Sequence, residues 1–341
     1  MGTIQEIAKR AGVSDGTDSN YLNKPELVSE RSREAIRQAI EEVGYHPRAA
    51  ARSLKSNHTH RIGLVYNISP EDNLSLEPSD NAFLEFLAAA NTAAAENGYG
   101  MLLHAATSQA KVLPIYKKLV GERDVDGILL MGIQPVDERI NYLIDQQFPF
   151  VSFGRTENSQ KHAFVDVDGA LGLADAVDHL ANLGHQLIAY ITPPDGLMCA
   201  KYRWEGFSRA MALHNLTIRD ELVVKSDFTE RSGQLAMHLL LDLPFPPTAV
   251  ITANDLCAFG AMRALSMRGL TPGKDVSIIG FDDISQASHW YPSLTTVAQP
   301  LRRIGFIATQ TLIDTIEGRQ VEKQVILKPQ LIIRQSTGPA P

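Results

Sequence analysis

Between Ser14 and Tyr21 the chain gathers short polar side chains at helical spacing: Ser14, Thr17, Ser19, Asn20 and Tyr21. Hydroxyls and an amide so placed can donate to phosphate oxygens and to base edges, and Asn20 has the paired donor and acceptor that match adenine. The chemistry on offer is recognition rather than bond making. The sequence has no Gly-x-Gly-x-x-Gly after Tyr66, no phosphate-binding loop, no Gly-x-Ser-x-Gly and no His-Glu-x-x-His. The usual catalytic signatures of α/β folds are missing, so no enzyme is expected. Cys199 and Cys257 are the only cysteines and lie far apart without metal-type spacing, so neither a disulfide, a metal nor a cofactor is expected.

These side chains need a frame. Thr3 followed by Glu6 is a capping box, and Ile4, Ile7, Ala8 and Ala11 recur on one face of a helix that ends at Gly12. Ser14 is a good N-cap for a second helix over 15–22. After the Asn23-Lys24-Pro25 loop, Ser29 opens a third helix whose Ala35, Ile36, Ala39, Ile40 and Val43 close a small core. A helix, a glycine turn and a second helix form the arrangement that lays its second helix in the major groove.

Charge restrains that reading. Through residue 59 nine basic residues stand against eight acids, a balance of +1, which leaves −8 for the rest of a chain whose net charge is −7. Affinity for DNA must then come from placed contacts in a dimer rather than from bulk charge. Asp15 repels phosphates, and Asp18 sits where an apolar side chain would enter the small core, at a cost unless it protonates or rotates out.

At 341 residues, with 44% hydrophobic and 21% charged residues, the chain is long enough for a large core and more than one domain. No apolar run is long enough to span a bilayer and the first residues carry charges, so no membrane association and a cytoplasmic location are expected. From Arg61 onward, apolar strand runs alternate with amphipathic helical stretches. Buried parallel strands are predicted at 62–66, 101–103, 127–131 and 150–153, then at 188–191, 222–224, 249–251 and 276–281. Helices are predicted at 83–97, 109–122 and 137–147, then at 169–183, 201–214, 230–241 and 255–268. The expected fold class is α/β, a helix-turn-helix head on a two-lobed body of doubly wound parallel sheets with a cleft between the lobes.

The run Thr3-Ile4-Gln5-Glu6-Ile7-Ala8-Lys9-Arg10-Ala11-Gly12-Val13-Ser14 and the stretch from Gly44 to Ser56 resemble the lactose-repressor and galactose-repressor family of bacterial transcription regulators. The resemblance continues through Asp126-Gly127-Ile128, Gly184-His185, Tyr202-Arg203-Trp204-Glu205-Gly206-Phe207, Thr252-Ala253-Asn254-Asp255, Gly280-Phe281-Asp282-Asp283 and 294–300, covering nearly the whole chain. It implies a periplasmic-binding-protein-like body, a homodimer, a palindromic operator and a small-molecule effector. It also implies DNA contacts from Thr3, Ser14, Asp15, Gly16, Thr17, Ser19, Asn20, Tyr21, Asn23, Ala51 and Leu54, with Leu54 of a hinge helix at about 48–57 as a minor-groove wedge. Where relatives usually carry Thr-Val-Ser-Arg, this chain has Thr17-Asp18-Ser19-Asn20, which leaves open an altered base preference or a weakened head.

The same resemblance assigns the effector to Arg203, Asn254 and Asp282, with Phe228 stacking on it and Phe83 and Gln299 closing the site; Arg155 and Asp168 join as neighbours of the cleft. An arginine fork, an amide and a carboxylate suit the vicinal hydroxyls of a sugar or glycoside, and a purine is the alternative. Each residue has a plainer role to weigh: Arg203 as an ion-pair partner of Asp282, Phe228 as core, Asn254 as a helix cap. The expected boundaries are a head over 1–59 and a body over 60–341, with a first lobe at about 60–162 and 300–324 and a second at about 163–299 and 325–341.

Overall fold

A computed structural model describes residues 4–14, 17, 28–43, 58–67, 81–157 and 162–341, arranged as two compact units, Met1–Thr59 and His60–Pro341. In the first unit, α1 (Ile4–Ala11) and α2 (Glu30–Val43) pack through Ile7, Val28, Ile36 and Ala39. Gly12 at φ +64° ends α1, a left-handed turn that glycine adopts without strain. Ser14 Oγ accepts from the Thr17 amide at 3.2 Å, the cap expected for a second helix, and Ser29 Oγ accepts from Ser32 at the start of α2. Asp18 and the remainder of that second helix lie outside the described residues.

The second unit holds two six-stranded sheets. The first runs β11-β5-β4-β3-β1-β2, from β1 (Arg61–Asn67), β2 (Gly100–Ala106), β3 (Gly127–Leu130), β4 (Phe150–Phe153), β5 (Ala163–Val167) and β11 (Gln324–Leu327). Its strands are all parallel, and α3 (Asn81–Glu96), α4 (Gln109–Gly121) and α5 (Glu138–Asp145) connect them. The second runs β12-β10-β9-β8-β6-β7, from β6 (Ile188–Thr192), β7 (Val223–Lys225), β8 (Ala249–Thr252), β9 (Ser277–Asp282), β10 (Thr295–Ala298) and the antiparallel β12 (Gln330–Ile332). Its helices are α6 (Gly169–Asn182), α7 (Met198–Leu213), α8 (Glu230–Leu241), α9 (Asp255–Met267) and the short α10 (Ser285–His289). After Pro300 the chain returns to the first sheet as α11 (Leu301–Ile316), which buries Ile304, Ala308 and Leu312 in that lobe's core.

Two expectations need correction, and two strands were not foreseen. The lobe boundaries at 162 and 324 fall too early, because β5 and β11 both pair in the first sheet and the crossings follow Val167 and Leu327. The 101–103 strand is not buried on both faces: β2 is a sheet edge, and Leu103 is 48% exposed. Neither β5 nor β11 stood out from the sequence, β5 because Asp166 interrupts its apolar run and β11 because it is a four-residue edge with exposed alternate positions.

Candidate effector site

The carboxyl ends of parallel strands in open α/β sheets face the ligand crevice, and the candidate residues sit there. Asp282 ends β9, Gln299 follows β10, Asn254 follows β8 and Phe228 follows β7; in the first lobe Arg155 follows β4 and Asp168 follows β5. Arg203 comes from the second turn of α7 and is 6% exposed.

These groups converge. Gln299 Nε2 donates to Asp282 Oδ1 at 2.6 Å. Arg203 Nη1 donates to the Ala253 carbonyl at 2.6 Å, and its guanidinium lies 3.5 Å from the centre of the Phe281 ring. Asn254 is the N-cap of α9: its Oδ1 accepts from Cys257 N at 2.9 Å while its Nδ2 donates to the Phe228 carbonyl at 3.0 Å. The capping role foreseen for Asn254 is therefore realised, and one N–H of the amide is left over. Phe228 is only half-buried and stands at φ +70°, so it is not a core aromatic.

Asp282 and Asp283 both adopt positive φ, +117° and +56°, where side chains other than glycine are strained. Strain of this kind persists where surrounding contacts hold it, often at ligand sites. The Gln299 amide clamps Asp282 from one side, and Arg334 Nη2 pairs with Asp283 at 2.7 Å. Beneath them Asp255 is fully buried, accepting from Thr296 Oγ1 at 2.5 Å and from the Ile284 amide at 2.8 Å. Burial holds the Asp255 carboxyl well above the usual carboxylate range, and the Asp282 charge pushes it the same way.

From the first lobe, Arg155 Nε faces Asp166 Oδ2 at 2.9 Å, and the guanidinium covers the Tyr202 ring of α7 at 4.0 Å. Burial raises the Asp166 carboxyl, with Arg155 pulling it back down and Arg203 adding a smaller pull from across the cleft. Asp168 is the N-cap of α6, its Oδ1 accepting from Leu171 N at 3.0 Å. Phe83 lies in the first lobe's apolar core, stacked on Tyr66 at 4.3 Å. Asp166 and Tyr202, which the sequence did not mark as candidates, join Arg155 here. Tyr202 stood inside a quoted motif, but its meeting with Arg155 and Asp166 depends on a loop, strand β5 and a helix from different lobes.

Of the DNA-contact candidates, Ser14 and Thr17 are described; Thr3, Asp15, Gly16, Ser19, Asn20, Tyr21, Asn23, Ala51 and Leu54 lie outside the described residues. Among the described residues no group of three or more His, Cys, Asp or Glu could hold a metal ion, and no helix is long and apolar enough to cross a membrane.

Residues 3–48 match the bacterial regulatory proteins of the lacI family, and residues 177–337 match the periplasmic binding protein-like domain. The HTH-type transcriptional repressor PurR of Serratia proteamaculans (strain 568) is 34% identical over 345 residues, spanning 100% of this chain and 98% of the relative. A transcriptional regulator CelR–cellobiose complex is 30% identical with a TM-score of 0.74, covering 98% of this chain and 100% of the other. The lac repressor dimer bound to operator and the anti-inducer ONPF superposes with a TM-score of 0.86 at 26% identity, covering 99% of each chain. The head, the two mostly parallel sheets and their order thus have one common explanation: the chain belongs to the LacI family of bacterial regulatory proteins, DNA-binding transcriptional repressors with a helix-turn-helix head and a periplasmic-binding-protein-like body.

Proposed function

We propose that this chain is a cytoplasmic, homodimeric repressor that reads a palindromic operator and is controlled by a sugar or glycoside held between the lobes of its body. The observation that carries this reading is the clustering of Arg203, Asp282, Gln299 and Asn254 in the second lobe and of Arg155 and Asp166 in the first, joined by the Arg155 guanidinium on the Tyr202 ring. Fixed donors and acceptors of this kind discriminate hydroxyl patterns, because a mismatched analogue leaves buried polar groups unpaired. Binding that favours one degree of lobe closure then biases a two-state dimer, and the paired heads register the change as operator affinity. Leu54 is the proposed wedge that opens the minor groove.

A purine is the second reading, favoured by whole-length similarity to PurR repressors and by the half-buried Phe228, an aromatic outside the apolar core that could stack on a flat ligand.

The test is a thermal-shift panel of sugars, glycosides and purines, followed by fluorescence anisotropy on palindromic DNA with each hit. A sugar or glycoside is expected to raise Tm and to change operator affinity by about tenfold or more. A response to purines alone selects the second reading, and silence from both classes overturns the proposal. In the same assay Leu54→Ala should weaken specific binding far more than nonspecific binding; equal losses would remove the wedge role.

A further inference from the structure

Asp282 and Gln299 stand at the carboxyl ends of β9 and β10, and the amino ends of the same two strands are tied down by residues 334–340. Ser336 is fully buried there: its Oγ donates to the Ile278 carbonyl at 2.7 Å and accepts from the Thr295 amide at 2.8 Å, and its carbonyl accepts from the Ile278 amide at 2.8 Å. Further along, the Gly338 amide donates to Ser277 Oγ at 3.0 Å and the Ala340 amide to the Leu183 carbonyl at 2.9 Å. A Cβ added to Gly338 would stand 2.2 Å from the Gly273 carbonyl oxygen, so the segment lies directly on backbone. Its side chains from Gln335 to Ala340 are small or polar, and hydrogen bonds rather than apolar burial hold it.

Two histidines grip the far half of this segment. His185 is 2% exposed and places Nε2 3.0 Å from both the Gly338 carbonyl and Ser277 Oγ, with Nδ1 2.9 Å from Thr248 Oγ1. A carbonyl only accepts, so in the neutral ring Nε2 carries the proton and the Thr248 hydroxyl donates to Nδ1. His179, half-buried on α6, places Nε2 3.0 Å from Thr337 Oγ1. A second proton on either ring creates a charge that no carboxylate answers. Asp178 pairs with His214 at 2.7 Å, Asp275 accepts from the Thr271 amide at 2.7 Å, and Asp283 pairs with Arg334. Asp175, one turn before His179, is itself raised by burial and by the charges of Asp178 and Asp168. Lys274 and Pro341 are exposed. Burial holds both histidines below their usual 6.5; the Gly338 carbonyl draws His185 partly back, whereas the His185 charge pushes His179 lower still.

We propose that residues 334–340 form a proton-released clasp on the second lobe, kept shut by neutral His179 and His185 and loosened when these rings take a second proton. Above pH 6.5 the rings are neutral whether the clasp is shut or open, and its hold is complete. As the pH falls below that value the open form takes up protons that the shut form resists, and the hold is lost progressively. Because the clasp fastens the amino ends of β9 and β10, its release loosens the strands that bear Asp282 and Gln299 without any ligand in the cleft.

Hydrogen exchange of the full-length chain at about pH 7.5 and about pH 5.5, with each rate corrected for the intrinsic rate at that pH, tests the clasp. The amides of Gly338 and Ala340 are expected to lose at least about tenfold in protection at the lower pH relative to the Ile251 amide of β8. Protection that stays level, or that falls by the same factor at all three amides, overturns the proposal. The double variant His179→Gln/His185→Gln supplies a side-chain amide in place of each ring and has nothing to titrate. Its protection at Gly338 and Ala340 is expected to change by less than about twofold between the two conditions. A persisting tenfold loss assigns the release to other groups and overturns the part given to the histidines. If the double variant does not fold, His179→Gln alone decides at the half-buried position: a smaller loss than the parent's supports the clasp, and an equal loss overturns it.

Discussion

Arg203 is 6% exposed, covers the Phe281 ring and donates to the carbonyl of Ala253, the residue before Asn254. Its guanidinium therefore closes part of the second-lobe core, which sequence alone did not reveal. Truncation leaves a buried carbonyl without its donor, a defect of roughly 1–3 kcal/mol. Arg203→Ala is expected to abolish the effector-induced Tm shift and also to lower the urea midpoint by a corresponding amount. Arg203→Met, which keeps an apolar stem over Phe281, should recover part of the midpoint and none of the shift. A retained effector response in either variant would remove Arg203 from the site. Asn254 makes the complementary point: its sequence position fitted both a cap and a ligand, and its Oδ1 and Nδ2 already serve Cys257 and Phe228.

Helices α6 and α7 show how an element places a side chain. Gly206 lies one turn after Arg203, and a Cβ built there would stand 2.1 Å from the Ala170 carbonyl oxygen on α6. The two backbones touch because there is no side chain, and the contact sets how deeply Arg203 sits beside Gly169, where the nearest Arg203 atom would be 3.1 Å from an added Cβ. Gly206→Ala is expected to push the helices apart at a cost of about 2 kcal/mol or more and to weaken the effector response with Arg203 itself intact. Chemical denaturation and thermal shift on the same variant test both effects; an unchanged response would mean that this contact does not position the arginine. The α7 helix was legible from its 3.6-residue period, whereas the glycine's purpose was not. Periodicity reports which face is buried and says nothing of what lies opposite it.

At the scale of the whole body, the first turns of α7 bridge the lobes. Met198 is 2% exposed in a core cluster made otherwise by the first lobe, and its amide donates to the Ile133 carbonyl at 2.9 Å. The loop bearing Ile133 is braced in turn by Arg139, which pairs with Asp137 at 2.6 Å and donates to the carbonyls of Met131 and Gly132. The exposed Lys201–Glu157 pair adds little, since solvent-screened pairs contribute about 0–1 kcal/mol. Apolar burial of Met198 is the stronger link, worth roughly 2–5 kcal/mol on truncation. Met198→Ala is expected to open the ligand-free body, seen as a larger radius of gyration and faster exchange of the residue-198 amide. Unchanged scattering and protection would show that this turn does not hold the lobes together.

Local sequence determined the helix-turn-helix head, the alternation of strands and helices, and the identity of most polar groups at the strand ends. Caps, glycine stops and hydrophobic period are properties of neighbouring residues and need no distant partner. Only the tertiary structure decided that β5 and β11 join the first sheet, that Arg155 meets Asp166 and lies over Tyr202, and that Met198 of one lobe is buried in the other. Those pairings join residues far apart in the chain, and their energies depend on burial and distance that no local pattern encodes.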